Sequence, residues 1–446
     1  MKNVVSLWVS VLVLAGWLAS PKSAPAQATA DWAQFRGPGG SGIAAGAAPP
    51  TTWSDTSNLK WKTELPGPGS SSPIVVGEKV FVTCWSGYGD GSRGGHEKLL
   101  RHLLCLDRAS GKILWQKSVA GEKNVDSYDG FLQEHGFASS TPASDGRRVF
   151  VYFGKAGALA FDLEGQQLWQ VVLGTDSNRK NWGSASSPIL HQDKVIINAS
   201  EEAHAVFALD QATGKQLWKA EGAALENVFG TPMLAKSGTQ TDVLLAVPDE
   251  FWALNADTGK LRWYVESGLS GNIAPSVVVG DGVAYAFGGF PRLAAVGVRL
   301  GGKGDMTKTN LAWSSYNSSY VPTPVLHEGR LYFASDAGFA TCLDAKTGEL
   351  GFKERLPGAS ASGRGKPFYA AAVLANGNVY AVSRRNGVFI FAAQPTFKLV
   401  AQNKLAGDDT DFNAAPALSG RQLFLRSNRT LYCIAAVSPA GAEKSQ

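Results

Sequence analysis

Two glycine-rich segments in the first third of the chain collect side chains suited to ligand chemistry. One, WSGYGDGSRGGHEK, begins at Trp85, and the other, NVDSYDGFLQEHG, begins at Asn124. Carboxylate, guanidinium and imidazole groups on neighbouring long loops can bind a ligand or move protons. We predict that the two segments form a binding lip; the alternative is a pair of solvated insertions. The candidate residues are Asp90, Arg93, His96, Asp126, Asp129, Glu134 and His135.

Two later segments, NRKNWG and GRGKPFY, add basic and aromatic side chains. Cations on one face could receive an anionic small molecule, and an indole offers a stacking surface for a sugar. The alternative is that these basic side chains are simply solvated. The candidate residues are Arg179, Trp182, Arg364, Lys366 and Tyr369.

Other motifs carry weaker signals. The consecutive pairs Glu201-Glu202 and Asp249-Glu250 lie on or beside predicted strands, where successive side chains point to opposite sides, so neither pair is expected to form one acid–base site. GGKGD lacks the full phosphate-loop pattern and a following helix. The histidines and cysteines show no metal-ligand spacing, so no metal site is predicted.

These side chains must be positioned by a repeat, because a strand-turn-strand phrase recurs along the chain. An Asp or Asn ends one strand, glycine takes the left-handed turn position, and a second strand ends in a large aromatic residue. The phrase occurs as LDRASGKILW, FDLEGQQLW, LDQATGKQLW, LNADTGKLRW and LDAKTGELGF. The closing aromatic residues are predicted to wedge between adjacent sheets; they are Trp61, Trp115, Trp169, Trp218, Trp263, Trp313 and Phe352, with Phe397 in the seventh repeat.

A second phrase, a small residue and proline followed by an alternating strand, precedes each of these units. It begins eight repeats, at Pro73, Pro142, Pro188, Pro232, Pro275, Pro324, Ala372 and Pro416. Four short strands in 40–50 residues are typical of one propeller blade. The last repeat lacks its fourth strand, and NLKWKTELPG near the N-terminus supplies the missing pattern. We therefore predict an all-β, eight-bladed β-propeller of four-stranded blades, closed by an N-terminal strand that completes the last blade.

These phrases resemble the tryptophan-docking motif of quinoprotein dehydrogenases and of BamB, and more closely the exported planctomycete-type pyrroloquinoline-quinone (PQQ)-like propeller proteins. The closer resemblance is carried by DWAQFRGPGGSG, HGFASSTPA, VYFGKAGALAFDLEGQQLW, GGKGDMT and FNAAPALSGRQLFLRSNRTLYCIA. It implies the blade architecture over the whole mature chain. The vicinal cysteine pair on which the quinone rests in the dehydrogenases is absent, and their Ca²⁺ ligands cannot be assigned here. No cofactor is therefore expected, with PQQ and Ca²⁺ as the alternative.

The N-terminus has the plan of a secretory signal peptide, with Lys2, an apolar run from Val4 to Leu18 and a small-residue site ending at Ala28. We predict a signal peptide at 1–28, an extension at 29–57, the propeller at 58–436 and a flexible tail at 437–446. No later segment is apolar enough to span a bilayer. The four cysteines are predicted to be thiols, although Cys84 and Cys105 could approach each other.

The formal net charge is +5 without any basic run, which argues against nucleic acid as a partner. The sequence therefore predicts a monomeric periplasmic or secreted propeller that binds a protein or an extended ligand, such as a polysaccharide, on one face without catalysis. A PQQ-dependent oxidoreductase and a carbohydrate-binding or carbohydrate-cleaving propeller are the alternatives. Fold alone does not decide among them.

Overall fold

The computed structural model describes residues 31–120, 124–359 and 366–436. Their strands form eight separate sheets, each built on four antiparallel strands, so the predicted eight-bladed propeller is confirmed. The predicted signal peptide, the C-terminal tail and Arg364 lie outside the described residues. Within the described part of the chain, no helix is long and apolar enough to cross a membrane.

The first four blades follow the chain in order. Blade 1 comprises Ile74–Val76, Lys79–Ser86, Leu100–Asp107 and Ile113–Ala120. Blade 2 comprises Ala143–Ser144, Arg148–Tyr152, Ala158–Asp162 and Gln167–Val171. Blade 3 comprises Ile189–His191, Lys194–Ala199, Ala205–Asp210 and Gln216–Glu221. Blade 4 comprises Met233–Ser237, Gln240–Val247, Glu250–Asn255 and Leu261–Glu266, with Gly304–Asp305 added in parallel at its edge.

The remaining blades repeat this order. Blade 5 comprises Val278–Gly280, Val283–Gly288, Ala294–Arg299 and Leu311–Ser315. Blade 6 comprises Val325–His327, Arg330–Ala334, Phe339–Asp344 and Leu350–Arg355. Blade 7 comprises Val373–Ala375, Asn378–Ser383, Gly387–Ala392 and Leu399–Asn403. Blade 8 comprises Ala417–Ser419, Gln422–Arg426, Thr430–Ala435 and the N-terminal strand Leu59–Glu64.

The helices among the described residues are all single turns. The α-helical turns are Leu132–His135, Ser200–Ala203 and Thr307–Asn310. The 3-10 turns are Pro38–Gly40, His96–Lys98, Gly154–Ala156 and Ala223–Leu225. Two of these turns, Leu132–His135 and Ser200–Ala203, lie in connections that position the candidate site described below.

The ring is closed by the N-terminal strand, as the sequence predicts. Leu59–Glu64 pairs antiparallel with Thr430–Ala435, and Trp61 lies opposite Cys433. A strand from one end of the chain thus completes a sheet made by the other end. This pairing leaves no sheet with an unfilled fourth position, which removes an edge open to aggregation.

The pairing of strands 3 and 4 contains a register shift in every blade, and in seven blades the predicted aromatic residue lies beside it. In blade 7 the equivalent residue is Ala401, so the prediction of Phe397 for this position was wrong; Phe397 precedes the strand Leu399–Asn403. In blade 1 the shift lies at Cys105/Leu106, next to the pair Cys105↔Trp115, and in blade 8 it lies at Leu59/Trp61. A bulge re-aims the side chains that follow it. Because the bulge recurs, the aromatic residue beside it turns towards the neighbouring sheet in the same way in each blade that has one.

The tryptophans contact the turn between strands 3 and 4 of the next blade. Trp61 Nε1 donates to Arg108 O at 3.0 Å, and Trp218 Nε1 donates to Ala256 O at 3.1 Å. A β-carbon at the turn glycine, Gly111 or Gly259, would lie 2.5 or 2.6 Å from the indole. The glycine of each phrase therefore leaves room for the preceding blade's ring.

Blade 4 departs from this arrangement. Trp263 Nε1 donates to Asp242 Oδ2 of its own blade at 3.2 Å, and the same carboxylate pairs with Arg262 Nη1 at 2.6 Å. The GGKGD motif provides the added edge strand Gly304–Asp305 against Trp263 and Tyr264. The motif therefore lies in a short β connection and is followed only by the single helical turn Thr307–Asn310, not by the longer helix of a phosphate-binding loop.

We call the end of the ring that carries the 2–3 loops and the connections between blades the loop face, and the other end the turn face. At the turn face, residues 31–48 cross the central channel. Trp32 pairs with Val75 of blade 1, and Ile43–Ala44 pairs in parallel with Leu374 and Ala375 of blade 7. This N-terminal segment closes the channel at the turn face.

Arg36 fixes the middle of this segment. It is 1% exposed, and its guanidinium donates to the carbonyl oxygens of Thr323, Pro324 and Ala372 at 2.7–3.3 Å. Further bonds run to Gly40 O and Ser41 O. Burial lowers the pKa of Arg36 to about 9. A buried cation satisfied by main-chain carbonyls holds the segment against blades 6 and 7.

Candidate functional site

A ring of hydroxyl groups lines the channel where the first strand of each blade begins. Each oxygen accepts a hydrogen bond from the main-chain N–H of the preceding blade: Ser72 donates to Thr141, Thr141 to Ser187, Ser187 to Thr231, Thr231 to Ser276 and Ser276 to Thr323, at 2.9–3.0 Å. Blades 7 and 8 carry Ala371 and Ala415 at this place. The hydroxyls therefore join blades 1 to 6 in one chain of contacts.

This ring corrects the sequence alignment of blade 5. The sequence aligned Pro275 with the prolines of the other repeats, but Ser276 occupies the position of Ser72 and Thr231 in the hydroxyl ring. The proline therefore precedes the ring residue in this blade and stands two residues earlier than in the other repeats. The property that the repeats share here is the hydroxyl that bonds the neighbouring blade, and proline follows it only in some blades.

Aromatic rings line the channel near the loop face. Phe131 stacks on Trp182 with ring centroids 4.7 Å apart, and Tyr369 lies 5.8 Å from Phe131. Phe229 lies 5.4 Å from Trp182. These rings and Tyr320 enclose a cavity of about 150 Å³, which we call the channel pocket, and Phe35 of the N-terminal segment also lines it. The pocket is therefore aromatic near the loop face and closed towards the turn face.

His135 lies in the wall of this pocket as a neutral side chain. Its Nε2 is 2.8 Å from Trp182 O, and its Nδ1 is 2.6 Å from Ser139 Oγ. A carbonyl oxygen only accepts, so Nε2 carries the proton. Burial lowers the pKa of His135 to about 4. Both nitrogens are engaged, which makes His135 a fixed link between the insertion and the NRKNWG loop.

Two basic side chains beside the pocket, Arg384 and Lys366, are paired with carboxylates. Arg384 Nη2 contacts Glu134 Oε2 at 2.7 Å and Asp411 Oδ2 at 2.6 Å. Lys366 Nζ lies 3.5 Å from Asp336 Oδ2. The described residues that line the pocket include no lysine, arginine, aspartate or glutamate. The pocket therefore presents rings, hydroxyls and an amide, but no net charge.

The two insertions of the predicted lip pack against each other. Tyr88 lies 6.4 Å from Tyr128 and 5.8 Å from Phe137, and its hydroxyl accepts a bond from Tyr128 N at 3.1 Å. Trp85 supports this cluster from below. A β-carbon at Gly136, which has φ 73°, would lie 1.8 Å from the Trp85 ring. The insertions thus form one aromatic unit beside the channel.

The first insertion places its predicted residues away from the channel pocket. Asp90 accepts main-chain bonds from Gly87 N at 2.9 Å and Ser92 N at 3.0 Å, as a loop-forming carboxylate does. His96 contacts the edge of the Tyr88 ring at 6.2 Å. Arg93 is exposed. These three residues lie on the outer part of the lip.

The second insertion is anchored to blade 2 by a buried ion pair. Lys155 Nζ lies 2.7 Å from Asp126 Oδ1, and their side chains are 7% and 13% exposed. The ammonium also donates to Asn124 O at 2.9 Å and to Ser177 Oγ at 2.6 Å. Asp129 is exposed. Of the predicted residues in this insertion, only His135 lines the pocket, while Glu134 is joined to it through Arg384.

The later candidate residues divide in the same way. Trp182 and Tyr369 line the pocket, and burial raises the pKa of Tyr369 to about 12. Lys366 pairs with Asp336, and Arg179 is exposed. The structure therefore brings together His135, Trp182 and Tyr369. The sequence did not single out Phe131, Phe229 or Tyr320, although the first of these stands within the predicted insertion.

A second buried polar cluster lies beside the pocket, around Glu201 and Glu202. The pair lies directly beside the strand Lys194–Ala199, in the helical turn Ser200–Ala203, so the strand alternation on which the prediction relied does not apply and both carboxyl groups are buried. Glu201 Oε1 accepts from Asn178 Nδ2 at 2.5 Å. Glu202 accepts from Tyr152 OH at 2.7 Å and also bonds Ser184 Oγ.

The electrostatics of this cluster favour protonation. Burial and the neighbouring Glu202 raise the pKa of Glu201 to about 9, and burial raises the pKa of Glu202. Two carboxyl groups that interact in a desolvated site cannot both ionise at ordinary pH. Oε2 of Glu201 has no hydrogen-bond partner among the described residues. The cluster therefore holds at least one neutral carboxylic acid under the wall of the second insertion.

The four cysteines are buried thiols. Burial raises the pKa of Cys84, Cys105 and Cys433 to about 12 and also raises that of Cys342. A thiolate is the reactive form, so these side chains are poor nucleophiles at neutral pH. Their place is in the blade cores.

The fold and the channel together define a PQQ-like β-propeller. A family model described as outer membrane protein assembly factor BamB matches residues 100–236 and 202–438. These matches cover more than half of the chain. The chain belongs to this family.

Two curated relatives match about half of this chain. Polyvinylalcohol dehydrogenase of Sphingopyxis sp. (strain 113P3) is 27% identical over 253 residues, covering 47% of this chain and 35% of the dehydrogenase. The enzyme of the same name from Pseudomonas sp. is 23% identical over 251 residues, covering 46% and 35%. The match thus spans about a third of each dehydrogenase's length.

Solved structures share the same architecture. BamB from Moraxella catarrhalis superposes with a TM-score of 0.58 and 15% identity, covering 86% of this chain and 99% of BamB. The computationally designed Ika8 protein gives a TM-score of 0.55 at 12% identity, covering 83% and 98%. At these identities the likeness concerns the fold alone.

The residues at the channel do not fit PQQ with Ca²⁺. Calcium requires several oxygen ligands, and no group of three or more His, Cys, Asp or Glu side chains among the described residues is placed to hold a metal. The lining residues that the structure describes include no lysine or arginine for the carboxylates of the quinone. The Arg384 guanidinium beside it is already paired with two carboxylates. We therefore derive no step through this cofactor.

Proposed function

We propose that this protein is an exported, monomeric, non-catalytic propeller that binds a protein or another extended ligand on its loop face. The observation that carries the proposal is the pairing of the titratable groups around the channel. Glu134 is neutralised by Arg384, and His135 is neutral with both nitrogens engaged. Such groups hold a surface in shape, whereas an acid–base catalyst needs a proton-transfer position open to substrate.

The shape of the loop face supports binding. The two insertions form a rigid aromatic lip through Tyr88, Tyr128 and Phe137, and the channel pocket opens beside it. Rigid aromatic groups supply contact area at a low cost in conformational entropy, which is why they dominate binding hot spots. The description of the family as an outer membrane protein assembly factor supports a protein as the partner.

Site-specific photo-cross-linking tests this proposal. A photoreactive phenylalanine at Asp129 places the probe on the exposed second insertion, and the same residue at Lys346 places it on an exposed turn of the turn face. In cells that produce each variant, we expect a discrete cross-link to a protein from position 129 and none from position 346. Equal cross-linking from both positions, or none from position 129, would contradict binding of a protein on the loop face.

A second candidate is a PQQ-dependent oxidoreductase, which the similarity to two polyvinylalcohol dehydrogenases favours. It is opposed by the uncharged lining of the channel pocket. Titration with PQQ and Ca²⁺, followed by a dye-linked alcohol assay, distinguishes the two. Saturable binding with turnover would establish the second candidate in place of the first.

A further inference from the structure

The size of the channel pocket suits a single aromatic ring. Its volume is about 150 Å³, and an apolar protein cavity of roughly this volume accepts benzene. Phe131, Trp182 and Tyr369 stand near the loop face, and Phe35 lines the pocket on the turn-face side. Phe35 also borders a separate cavity of about 350 Å³ at the turn face. A ligand group entering from the loop face therefore meets a ring at the end of the pocket.

The charge of the surroundings excludes ionic groups. The described lining residues carry no formal charge, and the cations on the neighbouring rings are already engaged, Arg384 by two carboxylates and Lys180 by Asn272. A carboxylate or phosphate would therefore lose its hydration and gain little from them. A cation would meet rings that already hold cations. Lys180 Nζ lies 4.8 Å from the centre of the Trp182 ring, and the Arg384 guanidinium lies 4.7 Å from that of Tyr369. Repulsion from these groups disfavours another positive charge.

The hydroxyl ring adds hydrogen-bond donors to the channel wall. The side-chain oxygens of Thr141, Ser187, Thr231, Ser276 and Thr323 each accept a main-chain N–H from the neighbouring blade. Among the described residues, their own hydroxyl protons have no acceptor within hydrogen-bond distance. A serine or threonine hydroxyl can donate while it accepts. The wall can therefore donate to a ligand oxygen placed beyond the aromatic rings.

We propose that the channel pocket binds a neutral phenol ring, that of a tyrosine side chain presented by a protein partner. The ring lies among Phe131, Trp182 and Tyr369, and the phenol oxygen accepts from the hydroxyl ring. Tyrosine has the required ring size, is uncharged at neutral pH and carries the oxygen at its tip. This proposal rests on the proposed function, since it names the group that anchors the partner on the loop face.

Fluorine NMR with 4-fluorophenol as the probe tests the pocket directly in the intact protein. At pH 7 we expect one saturable site with a dissociation constant on the order of 0.1–1 mM. N-acetyl-tyrosinamide should compete for it. We expect 4-fluorobenzoate and tetramethylammonium, the anionic and cationic probes, to bind with at least about tenfold lower affinity.

Two variants locate the site. Ala274 lines the pocket and is half-buried, so Ala274→Leu fills the space and should weaken 4-fluorophenol binding about tenfold or more. Ala212→Leu makes the same change at an exposed turn of blade 3 that does not line the pocket and should leave the affinity unchanged. Thermal unfolding of both variants shows whether each is folded.

The outcomes separate this proposal from the proposed function. Equal binding of 4-fluorobenzoate, or an unchanged affinity in folded Ala274→Leu, would overturn the phenol site. If the photoreactive phenylalanine at position 129 cross-links a partner while 4-fluorophenol does not bind, the loop face binds protein but this pocket does not anchor the partner. If 4-fluorophenol binds without any cross-link, the ring site stands and its assignment to a protein partner is overturned.

Discussion

At the residue scale, the chemistry of a side chain here is set by what surrounds it. His135 and Glu134 are adjacent in the sequence but differ in their surroundings. His135 is held neutral between Trp182 O and Ser139, whereas Glu134 pairs with Arg384. Both had been predicted as ligand contacts from their types alone. Ser139 lies only four residues from His135, but Trp182 and Arg384 are far away in the chain, and spacing along the chain does not reveal such partners.

The buried carboxyl group of Glu201 predicts a pH dependence of stability. Its pKa is raised to about 9 in the fold, whereas in the unfolded chain it ionises near pH 4.5. Between these values the unfolded state loses the proton first, so this group's contribution to stability is present below pH 4.5 and is lost as pH rises towards 9. We expect Glu201→Gln to match wild type near pH 5 and to melt several degrees higher at pH 8–9.

Differential scanning calorimetry over this pH range measures the effect. Glu266→Gln, which changes an exposed glutamate of blade 4, is the matched control and should follow the wild-type profile. A Glu201→Gln profile parallel to wild type would mean that Glu201 ionises in the folded state.

At the element scale, the second insertion depends on one buried ion pair. Asp126→Asn leaves the Lys155 ammonium without its carboxylate at a side-chain exposure of 7%. Removing one partner of a buried pair costs about 3 kcal/mol, mostly as the desolvation of the charge that remains. We expect this loss in denaturant unfolding, together with faster amide exchange in residues 124–138.

A second variant checks the cause. Asp126→Asn combined with Lys155→Met removes both charges, so it should recover part of the lost stability. If the double variant is no more stable than Asp126→Asn alone, the unpaired Lys155 ammonium is not the cause of the lost stability.

The elements that sequence reasoning recovered are those with a local cause. The turn glycine and closing tryptophan of each repeat lie within ten residues, so the blades and their order could be predicted. The N-terminal segment could not, because Arg36 finds its acceptors near residues 323 and 372. The same holds for the channel pocket, whose rings at Phe131, Phe229 and Tyr320 come from separate connections. The burial of Glu201 was missed for a local reason, because the chain makes a helical turn where the repeat predicts a strand or its edge.

At the scale of the whole molecule, closure of the ring depends on the pairing of the N-terminal strand Leu59–Glu64 with the C-terminal strand Thr430–Ala435 in blade 8. Trp61 and Trp218 allow a direct comparison, because both are at least nine-tenths buried, both donate Nε1 to the next blade and both lie over a turn glycine. They differ in position: Trp218 belongs to a blade made from one continuous segment, whereas Trp61 belongs to the strand that closes the ring.

If closure is as firm as an internal blade, Trp61→Ala and Trp218→Ala should lose similar stability, about 3–5 kcal/mol each, in denaturant unfolding. Both substitutions remove a large buried ring and leave a comparable cavity, so the shared chemistry cancels in the comparison. A frayed closing strand would make Trp61 nearly dispensable, because the ring would already spend time in solvent. A small loss in Trp61→Ala beside a large loss in Trp218→Ala would therefore show that the propeller opens between blades 8 and 1, and a tight channel pocket would then require a partner to hold the ring shut.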